Sequence, residues 1–181
     1  MKLYKLTDAK GQTKNATQWG VNTTHTLDPV KDPQMCSPQV LHAYADLNLA
    51  LLLNPLHIDL PANALQLWAA EGEVGAKDWG KVGCFSLTTT EQLPLPAWFT
   101  DVPTRMKVCV RFAELCAEGA AEAAGAAEAA RAAGAAEAAE YAAEWAEWAA
   151  AEYAARAAEW AARAKINLKN LAAEAVKECA Q

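Results

Sequence analysis

From Gly119 to Glu140 the chain repeats a three-residue unit, GAA EAA GAA EAA RAA GAA EAA E. Alanine is the strongest helix former, and Glu and Arg follow it closely, so the repeat reads as α-helix. Its period does not match the 3.6 residues of a helical turn. Each triplet advances the chain by ~300°, so the non-alanine position slips back by ~60° per repeat and circles the axis in about six. No straight face is then strongly apolar, and propensity more than burial has to hold the helix. Gly119, Gly125 and Gly134 each cost ~1 kcal/mol relative to Ala in a helix interior. They are the places where one long helix would divide into shorter ones. Glycine occupies only three of the eight triplet positions, too few for a bundle of polyproline helices.

The repeat changes the meaning of the composition. Hydrophobic residues make up 53% of the 181, but 44 residues are alanine, 29 of them between Ala113 and Ala164. An alanine methyl buries little area, so this stretch cannot build a thick core alone. All eight prolines lie at or before Pro103, and every Ser and Thr lies at or before Thr104. This change of grammar predicts an α+β protein: a small, mixed, β-rich module over residues 1–103, then an alanine-rich α-helical region over 104–181. The helical region could be one long helix, a hairpin or a small bundle. A single helix over 104–164 would reach ~90 Å, so a hairpin or bundle is the compact solution.

In the first half, Lys2–Thr7 reads as a strand closed by the turn-like Asp8-Ala9-Lys10-Gly11. Residues 14–38 read mostly as loop. Gln39–Ala45 reads as a strand, and Asp46 as the cap of a short helix over Leu47–Leu53 that stops before Pro55. Leu67–Val74 alternates, with Trp68, Ala70 and Val74 on one face and Glu71 and Glu73 on the other. Lys81–Thr89 follows a turn at Asp78-Trp79-Gly80, which suggests an antiparallel hairpin. After the extended Leu93-Pro94-Leu95-Pro96, Thr100 or Asp101 starts a helix whose stripe of Val108, Phe112 and Leu115 is expected to pack on the sheet.

In the second half, Tyr141, Trp145 and Trp148 fall at i, i+4, i+7, and Tyr153 and Trp160 lie ~100° further round. Aromatic side chains on an alanine helix make an adhesive stripe, for packing within the chain or for a protein partner or self-association. Glu152 with Arg156, and Glu159 with Arg163, are i, i+4 pairs in the favourable order and mark exposed helix. Asn167 caps a last amphipathic helix over 168–180.

The net charge of −6 sits wholly in the second half: residues 1–112 carry ten basic and ten acidic side chains, residues 113–181 six and twelve. Such a surface repels nucleic acid and anionic lipid, so neither nucleic acid nor membrane is expected as a partner. It could instead mimic nucleic acid toward a basic protein. The five cysteines are odd in number and scattered without a C-x-x-C, which points to reduced thiols in a cytoplasm. MKLYKLTDAKG has no apolar signal-peptide core, and the apolar run Leu47–Leu53 is too short to span a bilayer.

Candidates for chemistry lie in the first half. Cys36 and His42 are six apart, with His25 and Cys84 elsewhere. That spacing matches no standard zinc pair, and no oxyanion motif accompanies it as a nucleophile pair. Glu71 and Glu73 could serve as acid and base, although strand alternation explains them equally well. His42, Tyr44, Glu71 and Glu73 are therefore the candidate catalytic residues. No metal site and no cofactor is expected.

Several runs carry a resemblance: Met35-Cys36 through His42-Ala43-Tyr44, the helix ending Leu53-Asn54-Pro55, Leu67-Trp68-Ala69-Ala70-Glu71-Gly72-Glu73, and Lys81-Val82-Gly83-Cys84 before Leu93-Pro94-Leu95-Pro96. The chain resembles a family of uncharacterised small proteins of bacteriophages and prophages. These have a compact N-terminal module and a tail of alanine triplets. The resemblance implies a phage-derived accessory protein acting inside a bacterial cell, against host machinery, and assigns no catalytic residue. A shorter resemblance, strand 39–45 with Tyr44 before a capped helix, is to ADP-ribosyltransferase folds. It implies an enzyme or small-ligand alternative, with Glu71 or Glu73 as the match for the catalytic Glu. The leading expectation is a non-enzymatic protein that binds a partner or itself through Tyr141, Trp145, Trp148, Tyr153 and Trp160.

Overall fold

The computed structural model describes residues 1–13, 16–54, 62–123, 126–143 and 147–180, with side-chain detail at all but 62, 123, 126–129, 141–143 and 147–148. The fold is α+β, with a five-stranded antiparallel sheet in the N-terminal half and helices in the C-terminal half. The described residues divide into two compact units. One takes in Met1–Ala50 and Leu60–Leu95, the other Leu51–Asp59 and Pro96–Gln181.

The strands are β1 (Lys2–Asp8), β2 (Thr23–Thr26), β3 (Leu41–Ala43), β4 (Leu65–Lys77) and β5 (Val82–Leu93). The expected hairpin is present as β4–β5, turning at Asp78, whose Oδ1 accepts from the backbone N–H groups of Gly80 and Lys81 at 2.8 Å each. Both strands run longer than the alternation suggested, and register shifts at Ala69/Ala70, Glu73/Val74 and Val74/Ala76 interrupt their ladder. Such bulges raise the local twist and bend the strands. β5 can then pair β4 along one edge and both β2 and β3 along the other, while β1 pairs the far edge of β4. The curl ends in closure. Tyr4 and Tyr44 exchange both backbone hydrogen bonds, at 2.8 and 2.9 Å, so β3 meets β1 and the ring β1-β4-β5-β3 has no open edge there.

The ring encloses a core of Leu3, Trp19, Ala43, Ala70, Val82, Cys84 and Leu87, with Leu41 against it. Two expectations change here. Thr23–Thr26, read as loop, is a strand. Its polar face hides it from apolar periodicity, and it is held by β5 partners, with Thr24 Oγ1 2.8 Å from Thr88 Oγ1. The strand expected over 39–45 is only three residues long, with Tyr44 continuing it as the single bridge to β1.

The helices are α1 (Leu47–Leu52), α2 (Ala97–Thr100), α3 (Val102–Ala123), α4 (Ala126–Ala143), α5 (Glu147–Arg163) and α6 (Leu168–Cys179). Asp46 caps the first: its Oδ1 accepts from the Leu49 N–H at 3.1 Å. Asp101 Oδ2 accepts from the Thr104 N–H at 3.0 Å and starts α3. Residues 104–164 are not one helix. α3, α4 and α5 each pack against the other two, and α6 packs on α3. The reversal before α6 is made by Lys165 at φ 62°, followed by Asn167, whose side chain caps the helix.

Over its described part from Arg131 to Glu140 the alanine repeat presents a buried face, contrary to the expectation from its period. Ala132, Ala136 and Ala139 of α4 are buried at i, i+4, i+7. Between Arg131 and Glu140 the slipping position advances through only three steps, or ~180°, which leaves the opposite side all alanine. α5 answers with buried Ala150, Ala154, Ala157, Ala158 and Ala161. Gly119 and Gly134 lie inside helices, while Gly125 is outside the described residues. Among the described residues no helix is long and apolar enough to cross a membrane.

Candidate functional site

Four of the chemically capable side chains meet at one place on the sheet unit, around the 35–42 segment and the β4–β5 turn. Gly83 makes the approach possible: a Cβ there would stand 2.7 Å from a Val40 methyl carbon and 3.0 Å from Met35 Sδ, so only glycine lets the segment lie on β5. Cys36 sits on this segment at φ 61°, a left-handed conformation that costs a non-glycine residue roughly 1–2 kcal/mol. Its backbone N–H donates to His42 Nε2 at 3.1 Å, which leaves the neutral ring's proton on Nδ1.

The exposed Cys36 thiol accepts from Lys81 Nζ at 3.1 Å. Lys81 is only 8% exposed, so its amine is delivered to the sulfur from the protein side. Tyr44 is 4% exposed, and its hydroxyl is pushed above the usual tyrosine range by burial first, then by Asp78 and Cys36. Behind them Lys5 reaches through the ring interior. It is 6% exposed, lies 4.7 Å over the Trp19 ring and donates to the His42 carbonyl oxygen at 2.7 Å. Burial lowers its pKa to about 8, against a smaller opposing effect of Cys84. Burial raises the Cys84 thiol to about 11, with Lys5 pulling the other way.

His42 and Tyr44 therefore share a neighbourhood with Cys36. Glu71 and Glu73 do not join them. Both are exposed on β4, opposite Thr88 and Ser86, and β5 lies between them and His42. Lys81 escaped the sequence reading because it is 45 residues from Cys36, and only the ring closure and the hairpin turn bring them together. Among the described residues no three His, Cys, Asp or Glu side chains gather in a metal-binding group.

The helical unit carries a second set of groups. The side chains of Tyr141 and Trp148, and the whole of Trp145, lie outside the described residues. Tyr153 and Trp160 on α5 are half-buried. Arg131 of α4 lies 4.9 Å from the Trp160 ring centre and Arg163 4.1 Å, while Arg156 lies 5.7 Å from that of Tyr153. Arg163 is held by Glu159 at 3.0 Å and Arg156 by Glu152. Elsewhere on the unit, Pro103, Met106, Val110 and Arg111 of α3, with Glu140 of α4, line an open groove of about 440 Å³. Arg111 is fixed there by Glu114, Glu118 and Glu178 at 2.6–3.1 Å.

Compared with family models, with curated proteins and with solved structures, the chain shows no match in any of the three.

Proposed function

We propose that the protein acts by binding another protein through the alanine-rich helices, with α5 as the contact surface. One observation carries this reading: Trp160 and Tyr153, half-buried on α5, are flanked by Arg131, Arg156 and Arg163. Trp, Tyr and Arg are the residue types that dominate binding energy at protein interfaces. Arginine over an aromatic face presents a flat, amphipathic surface whose charges stay hydrated until a partner covers them. The smooth alanine face of α4 and α5 serves a different purpose: it lets the helices approach closely and hold that surface rigid. The phage-type role suggested by sequence resemblance belongs to the same reading, with a host protein as the partner.

The test is affinity capture of the full chain from a bacterial lysate beside its Trp160→Ala and Arg163→Ala variants, each checked for helix content by circular dichroism. The expected result is a partner retained by the wild type and weakened by at least ~30-fold by Trp160→Ala, as for an interface anchor worth 2 kcal/mol or more. Identical capture by all three, with unchanged sedimentation of the purified proteins, would overturn the proposal.

A further inference from the structure

The cluster on the sheet unit carries an inference independent of that interaction surface. We infer that Cys36 and Lys81 form an oxidation-sensitive pair, in which a hydroperoxide oxidises the Cys36 thiol and the Lys81 amine captures the product as a covalent sulfur–nitrogen link. Three observations converge on it. The thiol is exposed, so peroxide reaches it. The amine nitrogen already stands 3.1 Å from the sulfur and is otherwise buried, so the capturing group is in place before oxidation. The backbone that carries Cys36, at φ 61°, is anchored by its N–H bond to His42, in the place where the sulfur lies beside Lys81.

The chemistry balances with peroxide as the only added reagent. The thiol sulfur attacks one peroxide oxygen and the O–O bond breaks. Sulfur loses two electrons to become the sulfenic acid, and the other oxygen leaves as water. Lys81 then gives its ammonium proton to solvent, and the free amine attacks the sulfenic sulfur. The S–O bond breaks, and the hydroxyl departs as a second water with the proton that the nitrogen sheds as the S–N bond forms. Sulfenic acids condense with nitrogen nucleophiles in this way, and added thiol reverses the link. The product ties the 35–40 segment to the hairpin turn across 45 residues of chain.

The experiment treats the full-length protein with hydrogen peroxide near equimolar ratio and follows intact mass and peptide maps, with dimedone as a trap for free sulfenic acid. The wild type is expected to lose two hydrogens in mass and to yield joined peptides containing Cys36 and Lys81, resistant to trypsin at Lys81 and separated by dithiothreitol. Lys81→Gln and Lys81→Arg should stop at the sulfenic acid and label with dimedone several-fold more strongly. Lys81→Arg keeps the positive charge beside the thiol, and far-UV circular dichroism confirms that each variant is folded. Equal dimedone labelling in all three proteins, a disulfide from Cys36 to another cysteine, or the two-hydrogen loss persisting in both variants would overturn the inference.

Discussion

Lys5 is the residue at which sequence and environment disagree most. Its position in β1, between Leu3 and Thr7 on one face of the strand, puts an ammonium inside the ring. The His42 carbonyl and the Trp19 face compensate only part of its lost hydration, so its pKa falls to about 8. The unfolded chain holds that proton up to ~10.4, so between about pH 8 and 10 the unfolded state binds more protons and the stability contributed by Lys5 rises with pH. Cys84 acts oppositely. Its thiol, raised to about 11, stays protonated in the fold while the unfolded thiol ionises above ~8.5, so its contribution falls from there upward. Lys5→Met should therefore be more stable than the wild type at pH 7 by about 1–2 kcal/mol, the desolvation relieved less the hydrogen bond given up. That advantage should shrink as pH rises toward 9. Urea titrations of both proteins at pH 7, 8 and 9 measure it, and parallel pH slopes would refute it.

At the scale of elements, legibility tracked local periodicity. α1 with its Asp46 cap, the β4–β5 hairpin and α6 with Asn167 all follow from residues close in sequence, and each is present. β2 did not announce itself because its stabilisation comes from hydrogen bonds to β5, not from an apolar face. The repeat misled in one respect: six triplets circle a helix, but the three steps within the described part of α4 leave one alanine side intact. Gly134 belongs to the slipping set, and among the described residues no atom of another element lies within 4 Å of where its Cβ would stand. Gly134→Ala should therefore stabilise the protein by about 1 kcal/mol, the propensity difference alone. Thermal unfolding followed at 222 nm measures it; a lower Tm would mean that α4 uses the glycine for something else.

Across the whole molecule, α4 differs from the sheet unit, and from its own neighbour α3 with buried Val108, Phe112 and Leu115, in what it buries. The sheet unit buries Leu3, Leu67, Trp19, Trp68 and Leu87, large side chains with much area each. Among the described side chains of α4, the buried ones are the methyl groups of Ala132, Ala136 and Ala139, which at about 25 cal/mol per Å² contribute far less. Amides of Ala132–Ala139 should then exchange with deuterium by openings of lower free energy than those of Trp68–Ala70 and Leu87–Thr89. Hydrogen-exchange mass spectrometry resolves the two sets, and equal protection would contradict it.

The sequence by itself determined the α+β class, the change of grammar near Thr104, the capped helices and the aromatic and arginine composition of α5, because these depend on neighbours within a few residues. Only the tertiary structure decided the closure of the ring through Tyr4 and Tyr44, the division of the repeat into packed helices, and the meeting of Cys36 with Lys81. Those contacts join residues tens of positions apart, and whether they form depends on strand twist, bulges and close approach over Gly83, none of which leaves a periodic mark on the chain.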